Sequence, residues 1–437
     1  MNRSSGRVPS DPKRDLALFQ VYRFLSTSYL FAPVLVPFFH SRGLTMTQIT
    51  LLNSVYCVTA MLFEVPTGVL ADRFGRRQAM VLGSLMMAGG CALDWMGHSF
   101  AVFAVGEGLL ALGMTLTSGA DSAWLYDLLL DAGREHEYRR LEGQASAAKF
   151  IGASAAMALG GWLGASGLAH TYLVTAFVCL AASLVAAMLR ESHVPARRAQ
   201  VSRQVITSLR TVVDHKPLLF AVLYSALLFT LVRTSAIYLQ QPFLSAAGFD
   251  LVKVGLLMAL LSVGAALGAQ RFVWLRRRYG EWALLLALPA VLALSNLTLG
   301  RWVASWGVVM LLLQNLVNGV YSPFSKELLN REILDSSRRA TVLSVESMVR
   351  RLAFGLFAPL CGVLIDARGQ SAGFYACAAL GVVGTALLGV HVARRRSFFG
   401  EGFEGERTPT PLPEMVTQPL AVAAPAMSDT ALRAGRK

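Results

Sequence analysis

The chain has 437 residues, of which 54% are hydrophobic and only 15% charged. That balance exceeds what a single water-soluble core accommodates and marks a membrane protein. A net charge of +14, from 40 Lys and Arg against 26 Asp and Glu, raises nucleic acid and anionic lipid as partners, and the placement of the cations decides between them.

Apolar runs near the roughly 20 residues needed to cross about 30 Å of hydrocarbon recur almost end to end. In chain order they cover 15–39, 46–71, 78–97, 99–125, 141–165 and 169–189, then 217–241, 249–270, 282–300, 302–325, 340–365 and 371–393. The expected fold is all-α integral membrane, with twelve transmembrane helices in two six-helix halves. A basic cytoplasmic N-tail (1–14) precedes the N-terminal half (15–189), and a basic linker (190–216) leads to the C-terminal half (217–394). The tail over 395–437 holds five prolines between 409 and 425 and shows no amphipathic period, so it is expected to be cytoplasmic and disordered.

With the N-terminus in the cytoplasm, the outer loops carry only Arg42, Lys253, Arg301 and Arg368, while the other loop cations fall inside. The positive-inside rule therefore puts both termini in the cytoplasm of a multi-pass plasma (inner) membrane protein. Nucleic acid loses its main support, and membrane lipid becomes the partner. The linker, with Arg190, Arg197, Arg198, Arg203, Arg210 and Lys216, suits anionic headgroups or is simply a solvated loop. All five cysteines fall inside apolar spans, so free buried thiols are expected, with no metal and no cofactor. The seven histidines sit in loops or at helix ends, which argues against a histidine proton relay.

The halves echo each other. Arg139 and Arg140 open the fifth span and Arg338 and Arg339 the eleventh, and about ten residues later come Lys149 in one, Arg350 and Arg351 in the other. Two repeated halves with a site near the midplane is a recurring carrier architecture.

Between the second and third spans the chain reads GVLADRFGRR, residues 68–77. Gly75 permits a tight turn, and Asp72 stands where cations or a neighbouring helix N-terminus would stabilise it. The stretch resembles the loop 2-3 signature of the major facilitator superfamily: Gly68, Asp72 with Arg73, Gly75, then Arg76 and Arg77. The resemblance extends over residues 15–394 and points to the bacterial drug-efflux-like branch. It implies a secondary carrier working by alternating access, with protons as coupling ion and a small molecule as substrate, acting as a monomer. It also implies a gate latch, in which Asp72 faces the start of span 11, DSSRRAT. There Asp335 or the serines, Ser336 and Ser337, would cap the helix and Arg338 or Arg339 would pair with Asp72.

In span 5, Gly143, Gly152, Gly160 and Gly161 keep the glycines of the exporters' helix 5 signature, but Ala156-Met157 replaces its central Gly-Pro. Gly152, Ala156, Gly160 and Gly164 form a smooth stripe for close helix approach, and without proline no kink is expected. An antiport element and a plain packing stripe both remain open. Span 4 lacks the exporter-type arginine and carries Glu107 instead.

Charges deep in a bilayer are candidate functional groups. Here they are Arg23, Lys149, Arg233, Arg350 and Arg351 with Glu64, Glu107 and Glu346, while Asp94 and Asp121 lie nearer helix ends. At 1.5 Å per residue, Arg23 and Glu64 reach similar depths, so they are the expected pair. Glu346 and Arg350 are one turn apart on one face. Lys149 and Arg233 are left to bind an anion or to neutralise Glu107. Desolvation favours the proton on a carboxyl and nearby cations oppose it, which makes Glu107 the proton-coupling candidate. Gln20, Asn53, Gln240, Gln241, Asn315 and Asn318 suit either the lining of a cavity or helix–helix hydrogen bonds, and Phe24, Tyr29, Trp124, Tyr238 and Phe243 suit apolar parts of a substrate.

The leading expectation is proton-antiport export of a small amphipathic or anionic compound, with proton symport or facilitated uptake as the alternative. An enzyme is disfavoured, because Gly-x-Ser-x-Gly, His-Glu-x-x-His and phosphate-loop patterns are all missing. A second octet, GVLIDARG (362–369), matches the first but ends on the outer face, where Asp366 and Arg368 make a separate contact or an ordinary helix end. The repeat counterpart of the first octet is RRRYGEW (276–282), with Arg277 where Asp72 would stand.

Overall fold

A computed structural model describes residues 12–191, 212–333 and 339–396, and these are helical apart from short connections. Asp335, Arg338, most of the linker and nearly all of the tail lie outside the described residues, as does the side chain of Arg339. Residues up to Gly389 form one compact unit and Val390 begins a second.

In the first described segment the helices are α1 (Pro12–Leu25), α2 (Leu35–Ser41), α3 (Met46–Phe74), α4 (Arg76–Met96), α5 (Phe100–Thr117), α6 (Ala120–Asp131), α7 (Tyr138–Ser166) and α8 (Leu168–Met188). After the linker come α9 (Lys216–Thr234), a π-helical turn (Ser235–Leu239), α10 (Gln240–Ala246), α11 (Leu251–Tyr279), α12 (Glu281–Arg301), α13 (Gly307–Glu332), α14 (Arg339–Arg368) and α15 (Gln370–Arg396).

Among the described residues ten helices are long and apolar enough to cross a membrane. Of the twelve expected spans, the first and fifth fall short of that test. Span 1 is broken between α1 and α2. There the hydroxyls of Ser26 and Thr27 donate to the carbonyl of Arg23, and Ser28 donates to Phe24 O at 2.7 Å. Such side-chain bonds compete with the helical ladder, and Pro33 has no N–H to extend it. Span 5 is the 29-residue α7, whose hydropathy is lowered by Arg139, Arg140, Glu142 and Lys149.

The ends of the helices define two faces. A basic face carries Arg73, Arg76, Arg77, Arg134, Arg276, Arg277 and Arg278. The opposite face carries the caps that start α3 and α11, where the side chains of Thr45 and Asp250 accept from Gln48 N and Lys253 N, satisfying first-turn donors.

The two segments meet through α3 on α14 and α7 on α11. Both contacts are backbone-close towards the opposite face. A Cβ on Gly161 would strike Leu251 O and Gly255, a Cβ on Gly255 would strike Gly161, and one on Gly362 would meet Thr50 and Met46 O. Small residues of this kind let helices approach where lipid offers no hydrophobic drive. Gly152, Gly160 and Gly164 face another way, against Phe24, Leu30 and Val34 of the broken first span. The stripe of α7 is therefore a bed for that span, while Gly143 has open space around it.

Filling this bed tests the packing. Gly160→Val is expected to cost on the order of 1–3 kcal/mol and to lower the Tm of the purified protein, whereas Gly143→Val leaves Tm nearly unchanged. Equal Tm values for the two variants would contradict the close contact of α7 with residues 24–34.

Candidate functional site

Three groups of charged side chains lie inside the bundle. The first is confined to the first segment. Arg23 on α1 bonds Asp121 through one guanidinium nitrogen and Glu142 Oε1 through the other at 2.5 Å. Lys149 Nζ reaches Asp121 Oδ2 at 2.8 Å, and Ser122 Oγ donates to Glu142 at 2.9 Å. Asp121 lies in the first turn of α6, just after Gly119 in the left-handed region at φ 83°, where the helix dipole favours its charge. Two cations thus face two carboxylates, and Arg23 is 2% exposed. The expected Arg23–Glu64 pair does not form: equal depth is not adjacency, and Glu64 points from α3 towards α14. Lys149 is likewise held by Asp121 and is not a free cation.

The second group lies on the seam between the segments. Glu64 on α3 pairs with Arg351 on α14 at 3.8 Å, and Arg351 Nε also donates to Ser347 at 3.4 Å. One turn along, Glu346 meets Arg350 at 3.7 Å and accepts from Ser225 Oγ on α9 at 2.5 Å. Arg350 also donates to Tyr321 OH on α13 at 3.4 Å, and its guanidinium lies 4.5 Å from the centroid of Phe229. Arg233, one turn beyond Phe229 on α9, lies 5.6 Å from the same centroid. It is exposed and, among the described residues, makes no ion pair.

The third group is acidic. Glu107 on α5 is half-buried and has no ion pair among the described residues. Its electrostatic neighbour Asp94 on α4 is fully buried, with neither carboxylate oxygen hydrogen-bonded, and packs on Gly106. Arg351, Arg233 and Glu107 all act electrostatically on the phenol of Tyr56, on α3.

On the basic face, Gly75 has φ 107°, the left-handed region that favours glycine. Arg76 pairs with Asp127 on α6 and donates to Ala123 O at 2.6 Å, while Arg77 Nε meets Glu191 at 3.2 Å. Both arginines tie the start of α4 to its own segment. Asp72 is exposed and has no ion pair among the described residues, and Arg73 lies over the ring of Phe74. The second segment repeats the turn with charges exchanged. Gly280 has φ 79°, Glu281 follows it, and Arg331 and Arg276 pair with Glu281 at 2.7 and 3.9 Å.

On the opposite face, Asp366 of the second octet crosses between the segments. Its carboxylate accepts from Met46 N at 2.9 Å, Thr47 N at 2.8 Å and Thr47 Oγ1 at 2.6 Å. It caps α3 from outside, using donors the helix leaves free and its positive end. Farther in, Ser54 Oγ donates to Gly355 O at 2.6 Å.

Several expected cavity residues are packing residues instead. Trp124 is buried, stacks on Phe19 at 5.1 Å and donates to Arg190 O at 2.7 Å, and Phe243 packs edge-on against Phe374 at 5.8 Å. Tyr29 donates to Ser26 O at 2.9 Å and Asn315 to Leu311 O at 2.9 Å. The buried polar chain of the second segment runs instead through Gln314, which accepts from Ser235 at 2.5 Å and donates to Ser295 at 2.9 Å.

A multi-pass helical bundle joined at one face, with charged side chains lining an interior seam, has the architecture of a membrane carrier. The sequence profile of the Major Facilitator Superfamily matches residues 17–331, and the chain belongs to that family. Its fold is similar to that of the nucleoside transporter NupG, with TM-score 0.75 and 14% identity over 88% of this chain and 99% of that one. It also resembles a peptide transporter, POT, in complex with sulfate (TM-score 0.70, 15% identity, 87% and 94% covered). A D-xylose-proton symporter matches with TM-score 0.61 and 13% identity over 85% and 95%.

Two outcomes follow from the geometry. Asp121→Asn leaves Arg23 and Lys149 under-neutralised, and breaking a buried pair in this way costs about 3 kcal/mol or more; thermal unfolding in detergent should show a clear drop in Tm. Asp366→Ala removes three bonds to one carboxylate, and each 1.4 kcal/mol so lost is a tenfold change in population. With the native cysteines replaced, a cysteine at Asn53 should then label several-fold faster with an impermeant maleimide applied to the face of Asp366. Unchanged labelling would show that this cap holds nothing closed.

Proposed function

We propose that the chain is a secondary carrier that moves a small organic solute by alternating access and couples that movement to protons. In this reading the broken α1–α2 and the long α7 complete twelve spans, and the two segments are six-helix halves. The observation that carries it is the asymmetry of the seam. Asp366, Gly161, Gly255 and Gly362 hold the halves together at one face, while at the other Asp72 of the family signature has no ion pair among the described residues, which do not include the side chains of Asp335, Arg338 and Arg339. The excess of arginine at the second face argues that it is cytoplasmic, so this conformation is inward-open and both termini are inside. Asp335, Arg338 and Arg339 are the partners proposed for Asp72 when the carrier turns outward. A shift between such states needs only a few kcal/mol.

Glu107 is the proposed proton site. It lies on α5 without an ion pair among the described residues, beside the buried carboxyl of Asp94, and a lone charge there is expensive unless a proton or an ion neutralises it. Export by antiport is the direction we carry forward, from the glycines that α7 shares with exporters. Support for that direction is reduced by the packing role of Gly152 and Gly160, and symport is its competitor.

Inside-out vesicles separate these readings with a panel of labelled carboxylates, nucleosides, sugars and dipeptides. An acid interior drives solute inward for export and outward for symport. Glu107→Gln is expected to abolish gradient-driven accumulation while leaving solute exchange without a gradient. Flux indifferent to the proton gradient in the unmodified protein would sink the coupling, and no flux of any solute would sink the carrier.

A further inference from the structure

The seam holds an odd charge. Arg351 is matched by Glu64 and Arg350 by Glu346, but Arg233 has no carboxylate partner among the described residues. Glu107, which acts electrostatically on the same Tyr56 phenol, makes no ion pair with Arg233. Arg233 lies near the middle of the continuous apolar stretch Lys216–Ala246, yet its side chain is exposed. An unpaired guanidinium at that depth is tolerated where it lines a water-filled space rather than lipid.

Arg233 and Arg350 both lie over one half-buried ring, with guanidinium carbons 5.6 and 4.5 Å from the Phe229 centroid. Stacking on a ring orients a guanidinium and leaves its N–H edge free for a planar anion. Arg350 Nε is in addition buried without a hydrogen-bond partner, so a donor remains unused beside the vacant charge. Next to the two cations the half-buried ring of Phe229 supplies an apolar wall, backed by buried Phe354, which meets it edge-on at 5.7 Å.

We propose that this site binds an organic monocarboxylate with an apolar or aromatic body, its oxygens held by Arg233 and Arg350 and its body laid along Phe229. The proposal rests on the carrier reading and deepens it by naming the substrate class. One uncompensated cation calls for one negative charge. The carboxylate's two oxygens match the guanidinium fork, and the aromatic wall rewards burial of an apolar body.

The test uses the full chain in phosphatidylcholine nanodiscs, which lack anionic headgroups, with benzoate and phenylacetate as probes and benzamide and phenylacetamide as their neutral counterparts. Both acids should raise Tm and the amides should not. Arg233→Gln should weaken acid binding by about tenfold or more, the loss expected for a charged hydrogen bond, while leaving the unliganded Tm close to wild type. Phe229→Leu, which keeps both cations, should weaken the acids by less. Equal stabilisation by acids and amides, acid binding that survives Arg233→Gln, or stabilisation by added phosphatidylglycerol with none by the acids would each overturn the assignment.

Counterflow in proteoliposomes separates this from the reading beneath it. Transport of neutral solutes untouched by Arg233→Gln would overturn the anion site and keep the carrier. Acid binding that depends on Arg233, with no counterflow of any solute, would support the site and overturn the carrier.

Discussion

A charge surrounded by apolar helices must find its opposite nearby or stay in contact with water, and the interior of this protein is arranged around that requirement. Arg23 and Lys149 are absorbed by Asp121 and Glu142 within the first segment. Glu346 and Arg350 neutralise each other along α14, and Glu64 with Arg351 spans the seam. Once these pairs are drawn, Arg233 is left as an unmatched cation among the described residues, with Glu107 and Asp94 as carboxyls lacking a cation there. The pairs locate the rigid parts of the bundle, and the unmatched groups locate the part that chemistry can still change.

The fold was legible because its signals are local. Hydropathy marks each apolar run without reference to any other, and Gly75 before Arg76 announces the turn that appears at φ 107°. The two spans that fall short of the hydropathy test are those whose irregularity serves a neighbour: α7 spends apolar residues on glycines that cradle residues 24–34, and span 1 breaks where Ser26, Thr27 and Ser28 bond backwards. Neither departure is visible from the span's own composition without knowing what lies against it.

The charged site was legible only along single helices. Glu346 and Arg350 are four residues apart, so helical geometry alone brings them together. Arg23 faces α6 and α7, not α3, because rotation of a helix about its axis depends on packing that residue depth does not encode. Glu142 escaped notice for a related reason: it sits among arginines at the start of α7, where a carboxylate reads as a surface residue, and only the fold turns it towards Arg23. The octet at 362–369 was correctly assigned to the face opposite the first, yet its Asp366 bonds the other segment, a relation separated by some three hundred residues of chain.

The cap that Asp366 places on α3 differs in kind from the buried pairs. Two of its three bonds are made to main-chain N–H groups, so their strength is indifferent to which side chains occupy positions 46 and 47, and drift in those residues leaves the fastening largely intact. The carboxylate also sits at the edge of the bundle, and on release it passes into water instead of being stranded in hydrocarbon. A fastening of this sort can be undone and remade without any ion crossing a low-dielectric barrier, which the buried pairs cannot do.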